Sequence, residues 1–189
     1  MRGLAWLVLL LLAAGCRSRP AEAAPESCAP STAALHPSLP AVSLAGAYRV
    51  RLVATAGPRR DSSTEGRLEL VAPAEPDSGS RRPALVGTGN LRLEEIGAPS
   101  AELDSRDPDR PGVVVFDLPP SAGTTDAPRV LLRLGAEANR RDVVRLEGAS
   151  TVLRVREVRP DGFIGDWTAH APLPVAEGYF CAWRVGAGE

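Results

Sequence analysis

Lysine is absent from this 189-residue chain, and its 22 basic residues are all arginines, set against 23 acidic ones for a net charge of −1. Phosphate binding needs a concentrated positive face, and these arginines are scattered among nearly equal numbers of acids, so no nucleic-acid partner is expected. A genome rich in guanine and cytosine produces the same bias, because lysine codons are adenine-rich. Histidine occurs twice, at His36 and His170. His36 lies in a stretch poor in large apolar residues. His170 follows Asp166 by four positions, but no serine stands in a marked context such as G-x-S-x-G, so no hydrolytic triad is read. Two histidines and three cysteines leave no zinc ligand set, and without C-x-x-C no redox-active thiol is indicated. Asp104, Asp107 and Asp109 lie close enough to suggest calcium, yet Arg106 and Arg110 stand among them and the glycine and terminal glutamate of a calcium loop are missing. Gly87-Thr88-Gly89-Asn90 sits within a strand pattern with no helix after it, which reads as a bulge or bend and not as a phosphate cradle. No metal, no cofactor and no enzymatic activity are expected.

Long apolar runs are also lacking. Residues 4–12 form the longest, too short to cross a bilayer comfortably; Arg2 precedes it and small residues end it. This reads as a secretory signal, and Ala13-Ala14-Gly15-Cys16 resembles the lipobox of bacterial lipoproteins. Leu12 stands one position further from the cysteine than is usual there. The resemblance implies that the signal, residues 1–15, is cut before Cys16, that Cys16 carries diacylglycerol, and that the new amino terminus receives a fatty acyl chain such as palmitate. The protein is then expected outside the cytoplasm, lipid-anchored to the cell membrane or outer membrane. Arg17 in place of an aspartate is compatible with outer-membrane sorting. Ala21-Glu22-Ala23 offers an ordinary cleavage site that would leave a soluble protein, but Arg17, Arg19 and Pro20 separate it from the apolar run.

With Cys16 committed to lipid, Cys28 and Cys181 remain, and an exported chain joins such a pair. The bridge would close most of the chain into a loop, worth about 4 to 5 kcal/mol by the chain-entropy model. Residues 16–43 read as anchor and disordered tether, being rich in Ala, Pro and Ser. Cys28 would be the one point where that tether is pinned.

From residue 44 to the end, short runs rich in valine and leucine alternate with polar residues at period two, bounded by Gly, Pro, Asp and Ser clusters. Tyr48, Val50 and Leu52 oppose Arg49 and Arg51; Val130, Leu132 and Leu134 oppose Arg129 and Arg133; Val144 and Leu146 continue the pattern. Residues 113–118 are apolar on both faces, as in a strand covered on each side. Pro160-Asp161-Gly162 marks a hairpin, with proline setting one corner and Asp-Gly tolerating positive φ. Single helical turns are expected at 93–96 or 136–140. The fold class is all-β, an up-and-down antiparallel barrel of about eight or nine strands, with a two-layer β-sandwich as the alternative. Gly46-Ala47-Tyr48 near the start and Gly165-Asp166-Trp167 near the end resemble the lipocalin-like (calycin) barrels, where a glycine and a nearby aromatic close the barrel floor; Tyr48 stands where the usual motif has tryptophan.

Aromatic residues make up only 4% of the chain, and after the signal most lie between 163 and 183. Phe163 and Trp167 share one strand face, and Tyr179 and Trp183 share a face of the next with Cys181. They are candidates either for plain core packing or for lining a pocket. The functional expectation is an anchored binding or interaction module for a small apolar ligand or an envelope protein. The alternative is a structural lipoprotein with a plugged core.

Overall fold

The computed structural model describes residues 28–33, 40–73, 83–118, 129–135, 149–171 and 173–186. Eight strands follow one another: β1 Gly46–Ala56, β2 Ser63–Val71, β3 Leu85–Gly89, β4 Val113–Leu118, β5 Arg129–Leu134, β6 Ser150–Arg159, β7 Gly162–His170 and β8 Pro174–Arg184. Each pairs antiparallel with its sequence neighbours, and β8 returns to pair with β1 from Tyr48↔Arg184 to Ala56↔Glu177. The sheet therefore closes into a barrel without an open edge, which removes the sandwich alternative. The pattern at Val144 and Leu146 and the turn expected at 136–140 lie outside the described residues.

Alternation decides which side chains face inward. Tyr48, Val50, Leu52 and Ala54 of β1 are buried, while Arg49, Arg51 and Val53 between them are not. On β4, Val113 and Val115 join the main core, and the outward Val114 and Phe116 are also buried, forming a small cluster with Leu118. The strand is thus apolar on both sides because both sides are covered.

The two barrel ends close differently. At the floor, where β1 begins, the 3-10 turn Ala41–Leu44 buries Ala41 and Leu44 beneath the barrel. At the opposite end, the connection from β3 to β4 folds back across the mouth. It contains the expected turn as a 3-10 segment at Leu93–Ile96, and Leu91, Leu93, Ile96 and Leu103 are buried in the core. Gly89 N–H donates to Leu103 O (2.6 Å) and Gly135 N–H to Gly112 O (2.8 Å), tying this connection to the barrel wall.

The β6–β7 hairpin forms where it was expected, with Pro160 and Asp161 as its two loop residues. Positive φ is not used there: among the described residues it occurs at Gly46, Gly57, Gly97, Gly135 and Asp61. Gly162 answers a different need, since a Cβ on it would lie 1.9 Å from the Ala182 carbonyl oxygen.

The segment read as a disordered tether is docked in two places. A disulfide joins Cys28 to Cys181 across 153 positions of sequence, with Cα atoms 5.7 Å apart. Residues 28–33 then lie against the outer wall, where Ser31 Oγ donates to Glu157 Oε2 (3.0 Å). Further on, the Ala41 N–H donates to Asp117 Oδ2 (3.3 Å) at the end of β4.

Candidate functional site

The four aromatic candidates divide into two pairs on opposite sides of the wall. Phe163 and Trp167 pair with Ala182 and Gly178 and face inward, both 1% exposed. Tyr179 and Trp183 flank Cys181 and face outward, half-buried. The structure therefore does not bring the four together.

Inside, space left by glycines is taken by aromatic rings. Gly165 pairs with Phe180, and a Cβ there would meet Phe180 Cε1 at 2.8 Å; Gly178 pairs with Trp167, and a Cβ there would meet Trp167 Nε1 at 2.8 Å. Phe180 stacks edge-on against Phe163 (centroids 5.9 Å), and Phe163 against Tyr48 (4.9 Å). The Trp167 indole N–H donates to Val53 O (3.1 Å), beside the irregularity where β1 shifts register against β8. A buried indole needs such an acceptor. At both glycines a neighbouring ring stands where a side chain would otherwise lie. Two inward hydroxyls at the mouth end, Thr64 and Thr151, are buried without a hydrogen-bond partner among the described residues.

The floor holds a residue that sequence reasoning missed. Arg184, the last residue of β8, pairs in register with Tyr48. Its guanidinium lies 5.1 Å over the Tyr48 ring, donates to Tyr48 Oη (2.8 Å) and donates to Ala45 O (3.1 Å). The Tyr48 hydroxyl donates to Leu44 O (3.0 Å). Burial pushes the Tyr48 phenol above its ordinary pKa, and the Arg184 charge pulls it part of the way back. Gly46 has φ +143°, and a Cβ there would lie 2.7 Å from Arg184 Nη1. The available signal was the lone arginine closing the last strand, which acquires meaning only once β8 is known to pair with β1.

Outside, the arm 28–33 and the wall of β6, β7 and β8 enclose a cleft of about 410 Å³, lined by arm residues 29–33 and by Glu157, Arg159, Ile164, Cys181 and Trp183. Trp183 stands beside Gly162 on β7, where no side chain competes for the space. Arg159 Nε donates to Glu157 Oε1 (2.9 Å). Hydrogen bonds from Arg159 and then Ser31 hold the Glu157 carboxyl below its ordinary pKa. Above the cleft, a register shift in β6 lets Arg154 and Arg156 both reach Asp166, Arg154 at 3.9 Å and Arg156 by a shorter hydrogen bond.

The remaining candidates carry no constellation. Asp166 is held by those two arginines, and His170 pairs in register with Ser150 instead. Asp107 accepts from the Asp109 and Arg110 amides within its own turn (2.9 and 3.0 Å), and no metal-holding group of acids, histidines or cysteines occurs among the described residues. Gly87 sits where a Cβ would lie 2.0 Å from Glu69 O, a close strand approach. Cys16 and His36 lie outside the described residues. Compared with known proteins, no family model, no curated protein and no solved structure matches this chain, so its function is read from this geometry.

Proposed function

We propose that this protein is a lipid-anchored envelope lipoprotein whose calycin-like barrel is an interaction module that binds through its outer face and encloses no ligand in its lumen. One observation carries the choice between lumen and outer face. Tyr48, Phe163, Trp167 and Phe180 are all fully buried side chains inside the barrel, and both ends are closed by buried apolar residues. The arm-bounded cleft lies on the outer wall instead. A plugged core also suits a purely structural lipoprotein, but such a role gives no reason for a cleft beside a half-buried tryptophan.

The anchor rests on the lipobox-like Ala13-Ala14-Gly15-Cys16. In that reading the Cys28–Cys181 bridge shortens the leash: the twelve residue steps from Cys16 to Cys28 reach at most about 40 Å, so the barrel stays close to the bilayer. Two or more acyl chains, at about 0.8 kcal/mol per buried methylene, make release negligible.

Membrane extraction tests the anchor. Detergent is expected to release the protein and high salt to leave it bound, and Cys16→Ser is expected to move it to the soluble fraction. Extraction by salt alone, or a mature chain beginning unmodified beyond Cys16, removes the anchor. Native mass spectrometry of protein taken from its own membrane tests the lumen. An empty barrel is expected, and a retained apolar molecule would overturn the outer-face choice.

A further inference from the structure

We infer that the cleft between the arm 28–33 and the β6–β8 wall is a saccharide-binding site, with Trp183 as stacking platform and the Glu157–Arg159 pair with Ser31 as its hydrogen-bonding rim. This rests on the outer-face reading above. The volume, about 410 Å³, falls in the range of small-ligand sites, about 300–1,000 Å³.

The lining selects the chemistry. Glu157 and Arg159 neutralise each other at 2.9 Å, so the rim has no net charge with which to favour an anion or a cation. Hydroxyl and carboxylate groups from Ser31, Thr32 and Glu157 line the cleft, and an apolar guest would strip water from the hydrogen-bonding capacity that the Ser31–Glu157–Arg159 bonds leave over. A carboxylate that already accepts one bond on each oxygen retains further lone pairs for hydroxyl donors. Trp183 supplies a π face, whose negative quadrupole attracts the polarised C–H groups on one side of a sugar ring. Its indole N–H has no hydrogen-bond partner among the described residues. A neutral polyol with one apolar face is the ligand class that uses all of these groups together. The disulfide and the Ser31–Glu157 hydrogen bond hold the arm as one wall of the cleft.

The test uses the full chain in an amine-oxide detergent, which carries no sugar. Maltotriose represents unmodified hexose glycans and tri-N-acetylchitotriose represents N-acetylated wall-type glycans. Saturation-transfer NMR on each sugar and the tryptophan indole cross-peaks are read together, with Trp183→Phe assigning the relevant peak. At least one sugar is expected to saturate with Kd of about 1 mM, moving the Trp183 indole and leaving the buried Trp167 indole in place. Trp183→Leu and Glu157→Gln are each expected to weaken binding about tenfold, with the Trp167 indole shift showing that the barrel remains folded. No transfer to either sugar at about 10 mM, or unchanged affinity in both folded variants, overturns the inference. An anchored chain blind to both sugars loses this site and keeps the proposed function. A salt-extracted chain that binds sugar loses the anchor and keeps the site.

Discussion

The barrel has a long side and a short side. β6, β7, β8 and β1 run for 10, 9, 11 and 11 residues, whereas β3, β4 and β5 run for 5, 6 and 6. Among the described residues the long side carries every inward aromatic ring and the disulfide, and it supports the cleft. The short side packs Leu85, Val113, Val115, Val130 and Leu132, and β3 meets β4 at only three paired positions. Closure is therefore secured where the first and last strands pair, and the short β3–β4 seam opposite is expected to be the weaker part of the wall. The cleft on the long side is backed by the longer paired strands.

The largest effect expected is loss of the staple. Cys28→Ala with Cys181→Ala is expected to lower stability by about 4 to 5 kcal/mol, read from urea unfolding, because the loop it closes spans nearly the whole domain. Thiol titration of the denatured, non-reduced wild type should find neither cysteine free. Two sulfhydryls attributable to Cys28 and Cys181 would remove the bridge from the account.

Truncating one side chain on each side tests the asymmetry itself. Trp167→Ala is expected to cost about 3–5 kcal/mol and Val115→Ala about 2 kcal/mol, from the difference in buried volume. Equal losses would show that the aromatic cluster is no more important than the aliphatic wall. A gentler probe is native-state hydrogen exchange. Amides of the β3–β4 pairing should exchange by smaller openings than those of the β7–β8 pairing. The reverse order would contradict the strand-length argument.

The smallest effect concerns the arm in acid. Because hydrogen bonding lowers the Glu157 pKa in the folded chain, its contribution is complete above the ordinary glutamate value of 4.5 and is lost as pH falls through the lowered folded value. The arm contact at Ser31 should then loosen while the disulfide keeps residue 28 in place. The Ala33 amide, which donates to Ser31 Oγ (3.1 Å), reports it by exchange rate. Glu157→Gln should remove the pH step, and a step that persists assigns it to another group.

Much of this architecture is legible in the chain. Period-two alternation marks strands such as 48–52 and 130–134, two consecutive apolar faces mark β4, and Pro160-Asp161 marks a hairpin. Cysteine arithmetic leaves one pair to join. Alternation, however, states only that Tyr179 and Trp183 share a face, and that Phe163 and Trp167 share one. Which face looks inward depends on the pairing of β8 with β1, more than 120 positions away in sequence. That same pairing brings Arg184 over Tyr48, and the bridge to Cys181 sets the arm beside Trp183. Local pattern by itself determined strands and turns, because these follow from neighbours within a few residues, and the small number of cysteines, not local pattern, pointed to the bridge across 153 positions. Closure, the inward aromatic cluster, the floor and the outer cleft were decided only by tertiary structure, because each is made by contacts between segments that alternation treats as independent.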